Sequence, residues 1–89
     1  MQNRASEITA LNCPKAISVD VLNEYRLKVI FNNGVSRLFD FKPYLKYKIF
    51  KELDDESLFS KAYLDHGAVA WSDDLDIAIE EVYEKGVTI

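Results

Sequence analysis

Eighty-nine residues are enough for one domain and leave no room for a catalytic domain plus a regulatory one. Apolar residues at 48% beside charged residues at 29% fit a folded globular chain and exclude a disordered one. The net charge of −4 hides an asymmetry: residues 1–51 carry nine Lys/Arg against four Asp/Glu, and residues 52–89 carry two against eleven. Such a split can mark a charged partner or a self-complementary oligomer. The preferred reading is that the two halves neutralise one another, because a small domain folds both together. The apolar runs are too short for a membrane span or a signal segment, so no membrane association is expected. A single cysteine, Cys13, cannot close an internal disulfide and fits a reducing cytoplasm.

Residues 1–13 show no period and are expected to form a flexible N-terminus ahead of a single domain, 14–89. The first predicted strand, 15–22, alternates with Ile17, Val19 and Val21 on one face. A short turn at Asn23-Glu24 leads to a second strand, 25–31, and the Asn-Gly sequence then turns the chain into a third, 35–41. Parity decides the loop. A two-residue Asn33-Gly34 loop would put Phe31 opposite Ser36, mixing apolar and polar residues on one face. A three-residue loop, Asn32-Asn33-Gly34, sets Phe31 opposite Val35, Leu27 opposite Phe39, Tyr25 opposite Phe41 and Arg26 opposite Asp40. Gly34 then takes the left-handed position of a type I turn with a G1 bulge. A slip of one residue would turn every side chain to the wrong face. Pairing Val21 with Leu27, Val19 with Val29 and Ile17 with Phe31 extends the apolar face into a meander. One flaw stays in this register: Val29 faces Arg37, which has no assigned role.

Pro43 suits the first turn of a helix. From Tyr44 to Leu53 the spacing predicts an amphipathic helix of about three turns, its Leu45/Ile49/Leu53 stripe lying on one face of the sheet. Asp54-Asp55-Glu56-Ser57 ends that helix, and Leu58 and Phe59 form a short turn or helical piece. Two strands follow, 61–64 and 68–71, joined by Asp65-His66-Gly67 as a second three-residue loop that pairs Tyr63 with Val69. A last helix over 77–84 shares a stripe of Leu75, Ile79 and Val82 and stops at Gly86. The expected fold is α+β, an antiparallel sheet in the order β-β-β-α-β-β-α with a helix packed on one face.

Candidate sites are few. His66, the one histidine, sits between turn residues and reads as a plain loop residue. Cys13 lacks metal-ligand spacing and a local histidine, and reads as an ordinary small residue. The cluster Asp73, Asp74, Asp76, Glu80 and Glu81 does not follow a calcium loop, because Leu75 and Ile77 interrupt it without the turn glycine. It fits the first turn of a helix, with Asp74 or Asp76 as cap. Tyr44, Lys46, Tyr47, Lys48 and Lys51 interleave aromatics with cations, the pattern that stacks bases and neutralises phosphates. A solvated helix face explains that pattern too, and the acidic second half weighs against a polyanion. Trp71 reads as a core anchor with its indole N–H satisfied. No catalytic, metal or cofactor signature is present.

The order and spacing of these motifs resemble the short bacterial proteins grouped as domain of unknown function 2442. The resemblance covers residues 14–86. It rests on Leu27-x-Val29-x-Phe31 with the Asn-Gly turn, Leu38-Phe39-Asp40-Phe41, Pro43-Tyr44-Leu45, Phe50-x-x-Leu53 and Phe59. It continues through Trp71, the Leu75-Asp76-Ile77 segment and Tyr83; Ser72-Asp73-Asp74 after the tryptophan departs from the family's usual Pro or Asn and Gly. The resemblance implies an α+β domain like that at the N-terminus of some helix-turn-helix proteins, although 89 residues are expected to leave no space for the helix-turn-helix itself. It also implies, for stand-alone members, one half of a two-gene, toxin–antitoxin-like pair. It carries no catalytic residues.

The leading expectation is a non-enzymatic, cytoplasmic protein-interaction module, the antitoxin-like member of such a pair. Its acidic Asp73, Asp74, Asp76, Glu80 and Glu81 would meet a basic partner protein. The alternative is a nucleic-acid-binding accessory module using Tyr44, Lys46, Tyr47, Lys48 and Lys51. A homo-oligomer, through an exposed strand edge or the opposite charges of the two halves, is the remaining partner class.

Overall fold

The computed structural model describes residues 14–89; the expectations for residues 1–13, Cys13 included, lie outside the described residues. Among the described residues seven strands form two antiparallel sheets. The first orders β1 (Ala16–Leu22), β2 (Arg26–Phe31), β3 (Ser36–Asp40) and β7 (Val87–Thr88) side by side. The second orders β4 (Tyr63–Asp65), β5 (Ala68–Ser72) and β6 (Leu75–Ile77). Between the sheets in sequence lie the 3-10 helices Lys42–Tyr44 and Lys48–Asp54 and the short helix α1 (Glu56–Phe59); α2 (Ile79–Lys85) precedes β7. The chain is α+β and antiparallel, but its two sheets and extra strands replace the single sheet of the predicted order.

The β2–β3 hairpin has the predicted register, with Leu27 against Phe39, Arg26 against Asp40 and Val29 against Arg37. The Phe31 amide donates to the Val35 carbonyl at 2.8 Å, closing the Asn32-Asn33-Gly34 loop, and Gly34 has φ +88°. The Val35 amide bonds the Asn33 side chain at 3.0 Å, a local bond typical of turn asparagines. The β1–β2 pairing also follows prediction at Val21–Leu27 and Val19–Val29, and then departs from it. A bulge between Ala16 and Ser18 sets Ala16 opposite Phe31 and turns Ile17 outward, 61% exposed. An extra residue in one strand reverses the facing of whatever precedes it, so Ala16 takes the core position expected of Ile17.

Three further expectations are corrected. The predicted α-helix over Tyr44–Leu53 is two 3-10 segments, interrupted at Tyr47 by extended backbone with ψ 137°. The amides of Tyr44, Tyr47 and Phe50 each bond the carbonyl three residues earlier, at Phe41, Tyr44 and Tyr47. Tyr44, Leu45, Phe50 and Leu53 pack on the core while Ile49 is 63% exposed, so the continuous Leu45/Ile49/Leu53 stripe does not form. Within 44–53 only Lys48 and Lys51 would stand three apart on an α-helix, a like-charge pair that weighs slightly against it.

The second hairpin turns through two residues, not three. Tyr63 pairs with Ala70 and Leu64 with Val69, and His66 (φ +54°) and Gly67 (φ +81°) take the left-handed positions of a type I′ turn. Leu75–Ile77 is a strand, its buried leucine and isoleucine flanking the exposed Asp76, and α2 starts only at Ile79 after the uncapped Ala78. Asp74 and Asp76 therefore cap nothing; the first-turn carboxylates are Glu80 and Glu81.

One core joins both sheets and all the helical pieces: Leu27, Val29, Phe31 and Phe39 from the first sheet, Val69, Leu75 and Ile77 from the second, and Phe41, Leu53, Phe59 and Val82 between them. Phe41 is its hub, with the rings of Tyr44, Phe50, Phe59 and Trp71 at 5.1–5.5 Å. The Trp71 indole N–H donates to the Phe59 carbonyl at 2.9 Å, as expected of a core anchor.

Candidate functional site

Two clefts flank the first sheet. The smaller, about 450 Å³, brings together part of the Tyr/Lys set. Tyr44 stacks on Phe41 at its floor, and Tyr47, half-exposed, receives the Lys46 ammonium 5.4 Å from its ring centroid. The fold adds Arg26 and Lys85, distant in sequence, and also the carboxylates Asp40 and Glu81. Lys48 and Lys51 are exposed and do not line this cleft. The Tyr44 hydroxyl donates to a Glu81 carboxylate oxygen. Partial burial, then this bond and the Glu81 charge, push the Tyr44 phenol up to about 12.

The acidic set is divided by the same arrangement. Asp73 and Asp74 sit in the β5–β6 turn, where the Asp74 amide bonds the Ser72 hydroxyl at 3.3 Å. Asp76 is exposed on β6 and Glu80 is exposed on α2, while Glu81 is held by Tyr44. Among the described residues no three His, Cys, Asp or Glu side chains stand so as to hold a metal ion. His66 is 95% exposed, its Nδ1 2.7 Å from the neighbouring Asp65 carboxylate, in the turn where the sequence placed it.

The larger cleft, about 610 Å³, was not legible in the sequence. It runs along the outer edge of β1 from Val19 to the β1–β2 turn and is walled on its far side by α1 and Ala62. Its charged lining residues are Asp20, Glu24 and Glu56; among the described residues none that lines it is basic. Tyr25 closes one end, with its hydroxyl donating to the Asp54 carbonyl and its ring edge-on to Phe59 at 5.3 Å. Partial burial, followed by the negative charges of Asp54, Glu56 and Asp55, raises the Tyr25 phenol above its ordinary value. Glu24 and Tyr25 both have positive φ, +64° and +58°, a conformation that costs non-glycine residues energy and clusters at functional turns. The sequence signal for this cleft was the Asp54-Asp55-Glu56 run, which reads locally as a helix terminus. Only the fold brings Glu56 of that run into one cleft with Asp20 and Glu24.

Arg37 has a structural task. Its Nε donates to the Tyr83 carbonyl at 2.8 Å, one Nη to the Thr88 hydroxyl at 2.8 Å, and its guanidinium lies 4.7 Å from the Tyr83 ring centroid. It ties β3 to the end of α2 and to β7.

No helix among the described residues is long and apolar enough to cross a membrane. Comparison with curated proteins finds no match, and comparison with solved structures finds none either. A family model does match, over residues 16–88, which span every strand and helix described above. With that match covering most of its length, the chain belongs to the family described as protein of unknown function, DUF2442.

Proposed function

We propose that this chain is a non-enzymatic protein-interaction module that captures a basic protein partner, in the manner of the neutralising, antitoxin-like member of a two-protein pair. The observation that carries the reading is the β1 cleft, whose charged lining residues Asp20, Glu24 and Glu56 share one sign. A concave surface of one charge concentrates field lines and speeds capture of the opposite charge. This moves the binding surface from Asp73, Asp74, Asp76, Glu80 and Glu81, which the fold disperses, to the β1 side. Pull-down from the native host with the unaltered chain and with the double variant Glu24→Lys/Glu56→Lys tests it. A stoichiometric basic protein retained by the first and lost from the second is the expected result. Recovery of the same proteins by both, or of none by either, would refute it.

The alternative, nucleic-acid binding, draws support from the second cleft, which Arg26, Lys46 and Lys85 line together with Tyr44 and Tyr47. Asp40 and Glu81 in the same wall oppose a polyanion. On this reading binding of single-stranded RNA falls steeply with salt and is lost in Lys46→Glu/Lys85→Glu. A flat titration at low salt would discard it.

A further inference from the structure

The hydrogen-bond pattern of the first sheet shows which backbone groups of β1 lack a partner among the described residues. The Phe31 amide donates to the Val35 carbonyl and the Phe31 carbonyl accepts from the Gly34 amide, so both face β3, and the Tyr25 carbonyl faces the same way, accepting from the Phe41 amide. Alternation along β2 therefore turns residues 26, 28 and 30 toward β1, where they meet Leu22, Asp20 and Ser18. The backbone N–H and C=O groups of Val19 and Val21 then point away from the sheet. The β4–β5 hairpin passes close to β1 but contributes one main-chain bond, from the Ala16 amide to the Gly67 carbonyl at 3.1 Å. Beyond the bulge at Ile17, the edge from Val19 to Leu22 is unpaired among the described residues, and it opens into the acidic cleft.

Resting on the protein-capture reading, we infer that the partner binds as an extended basic segment that adds a strand to the free edge of β1, opposite Val19 and Val21. An edge strand is a ready template for an incoming strand, and main-chain bonds supply affinity while alternate side chains supply specificity. The half-buried side chains of Val19 and Val21 continue the apolar face built by Leu27 and Val29. Every second side chain of the added strand is therefore apolar. The intervening positions share the face of Asp20 and take Lys or Arg. A second copy of this chain fits the edge poorly, because an antiparallel two-fold pairing centred between Val19 and Val21 would set Asp20 against its own counterpart. At about 610 Å³ the cleft is within the roughly 300–1,000 Å³ of ordinary ligand sites.

The probe is a capped peptide of alternating lysine and valine, about six residues and so roughly 20 Å long when extended. Its counterpart is the same peptide methylated on every backbone nitrogen, which keeps the charge and removes the donors. Titration into the full chain is expected to show at least about tenfold weaker binding of the methylated peptide, equivalent to the loss of one or two main-chain bonds. Val21→Pro removes one outward N–H while sparing the β1–β2 ladder, and is expected to weaken the unmodified peptide to a similar degree. Hydrogen exchange on the unaltered protein is independent of how that variant folds: the Val19 and Val21 amides are expected to become protected when the peptide binds. Equal binding of both peptides, or no added protection at Val19 and Val21, would overturn strand addition and leave charge-driven capture standing. No binding of either peptide would overturn both. A concentration-dependent dimer by light scattering that is lost in Val21→Pro would assign the edge to a second copy and overturn a basic partner there.

Discussion

Tyr44 shows how a residue's setting differs from its sequence neighbourhood. In the sequence it belongs with lysines; in the fold its hydroxyl donates to Glu81, 37 residues away, and its ring stacks on Phe41. Its phenol, pushed up to about 12, stays protonated in the folded state after the unfolded chain has begun to ionise near 10. The unfolded state thus loses its proton first as pH rises, so this contribution to stability is full below about pH 10 and disappears between about 10 and 12. Tyr25, raised in the same direction, acts with the same sign. Urea unfolding from pH 9 to 12 is expected to show a loss of stability that is shallower in Tyr44→Phe; an unchanged slope would remove Tyr44 from the account. Arg37 teaches the same lesson. Opposite Val29 it looked like an error of register, but its partners Tyr83 and Thr88 lie 46 and 51 residues onward.

At the scale of elements, the turns were legible to different degrees because their chemistry differs. Asn32-Asn33-Gly34 carries its own local bonds and a glycine at φ +88°, and side-chain parity on both flanks agrees with it. The turn at His66-Gly67 offered weaker parity, since Ala68 and Ala70 mark no face strongly, and the shorter primed turn, which matches strand twist, prevailed. Over residues 42–54 the apolar pattern allowed either a 3.6- or a 3.0-residue period, and the packing of Phe50 and Tyr44 on Phe41 selected the latter. Gly86, foreseen as a helix stop, is required for space, not for φ, which is −71°. A Cβ there would lie 2.7 Å from the Val82 carbonyl oxygen and 2.9 Å from the Arg37 Cβ. Gly86→Ala is therefore expected to cost about 1–3 kcal/mol by overpacking. Gly34→Ala meets nothing within 4 Å and is expected to cost about 1–2 kcal/mol through its left-handed backbone alone. Denaturant midpoints of the two variants check this; an unperturbed Gly86→Ala would show that α2 and β3 are not tightly apposed.

The molecule as a whole depends on one core shared by two small sheets, neither of which is covered without the other. Phe41, fully buried and ringed by four aromatic side chains, joins them. Phe41→Ala is expected to cost about 3–5 kcal/mol. Against a total of roughly 5–15 kcal/mol for a domain, that loss should lower the thermal midpoint sharply and loosen both sheets together. A variant that melted one sheet while the other kept its midpoint would disprove the shared core. The β2–β3 register, the inward positions of Leu27, Val29, Phe31 and Phe39, and the family are legible in residue order alone, because alternation and turn chemistry act between near neighbours. Contacts across the fold make strands of Leu75–Ile77 and Val87–Thr88, take Glu81 out of the acidic set for Tyr44, and line one cleft with Asp20, Glu24 and Glu56 beside a β1 edge unpaired among the described residues. Those outcomes depend on contacts between distant segments, whose energies come from burial and pairing partners that local periodicity does not contain.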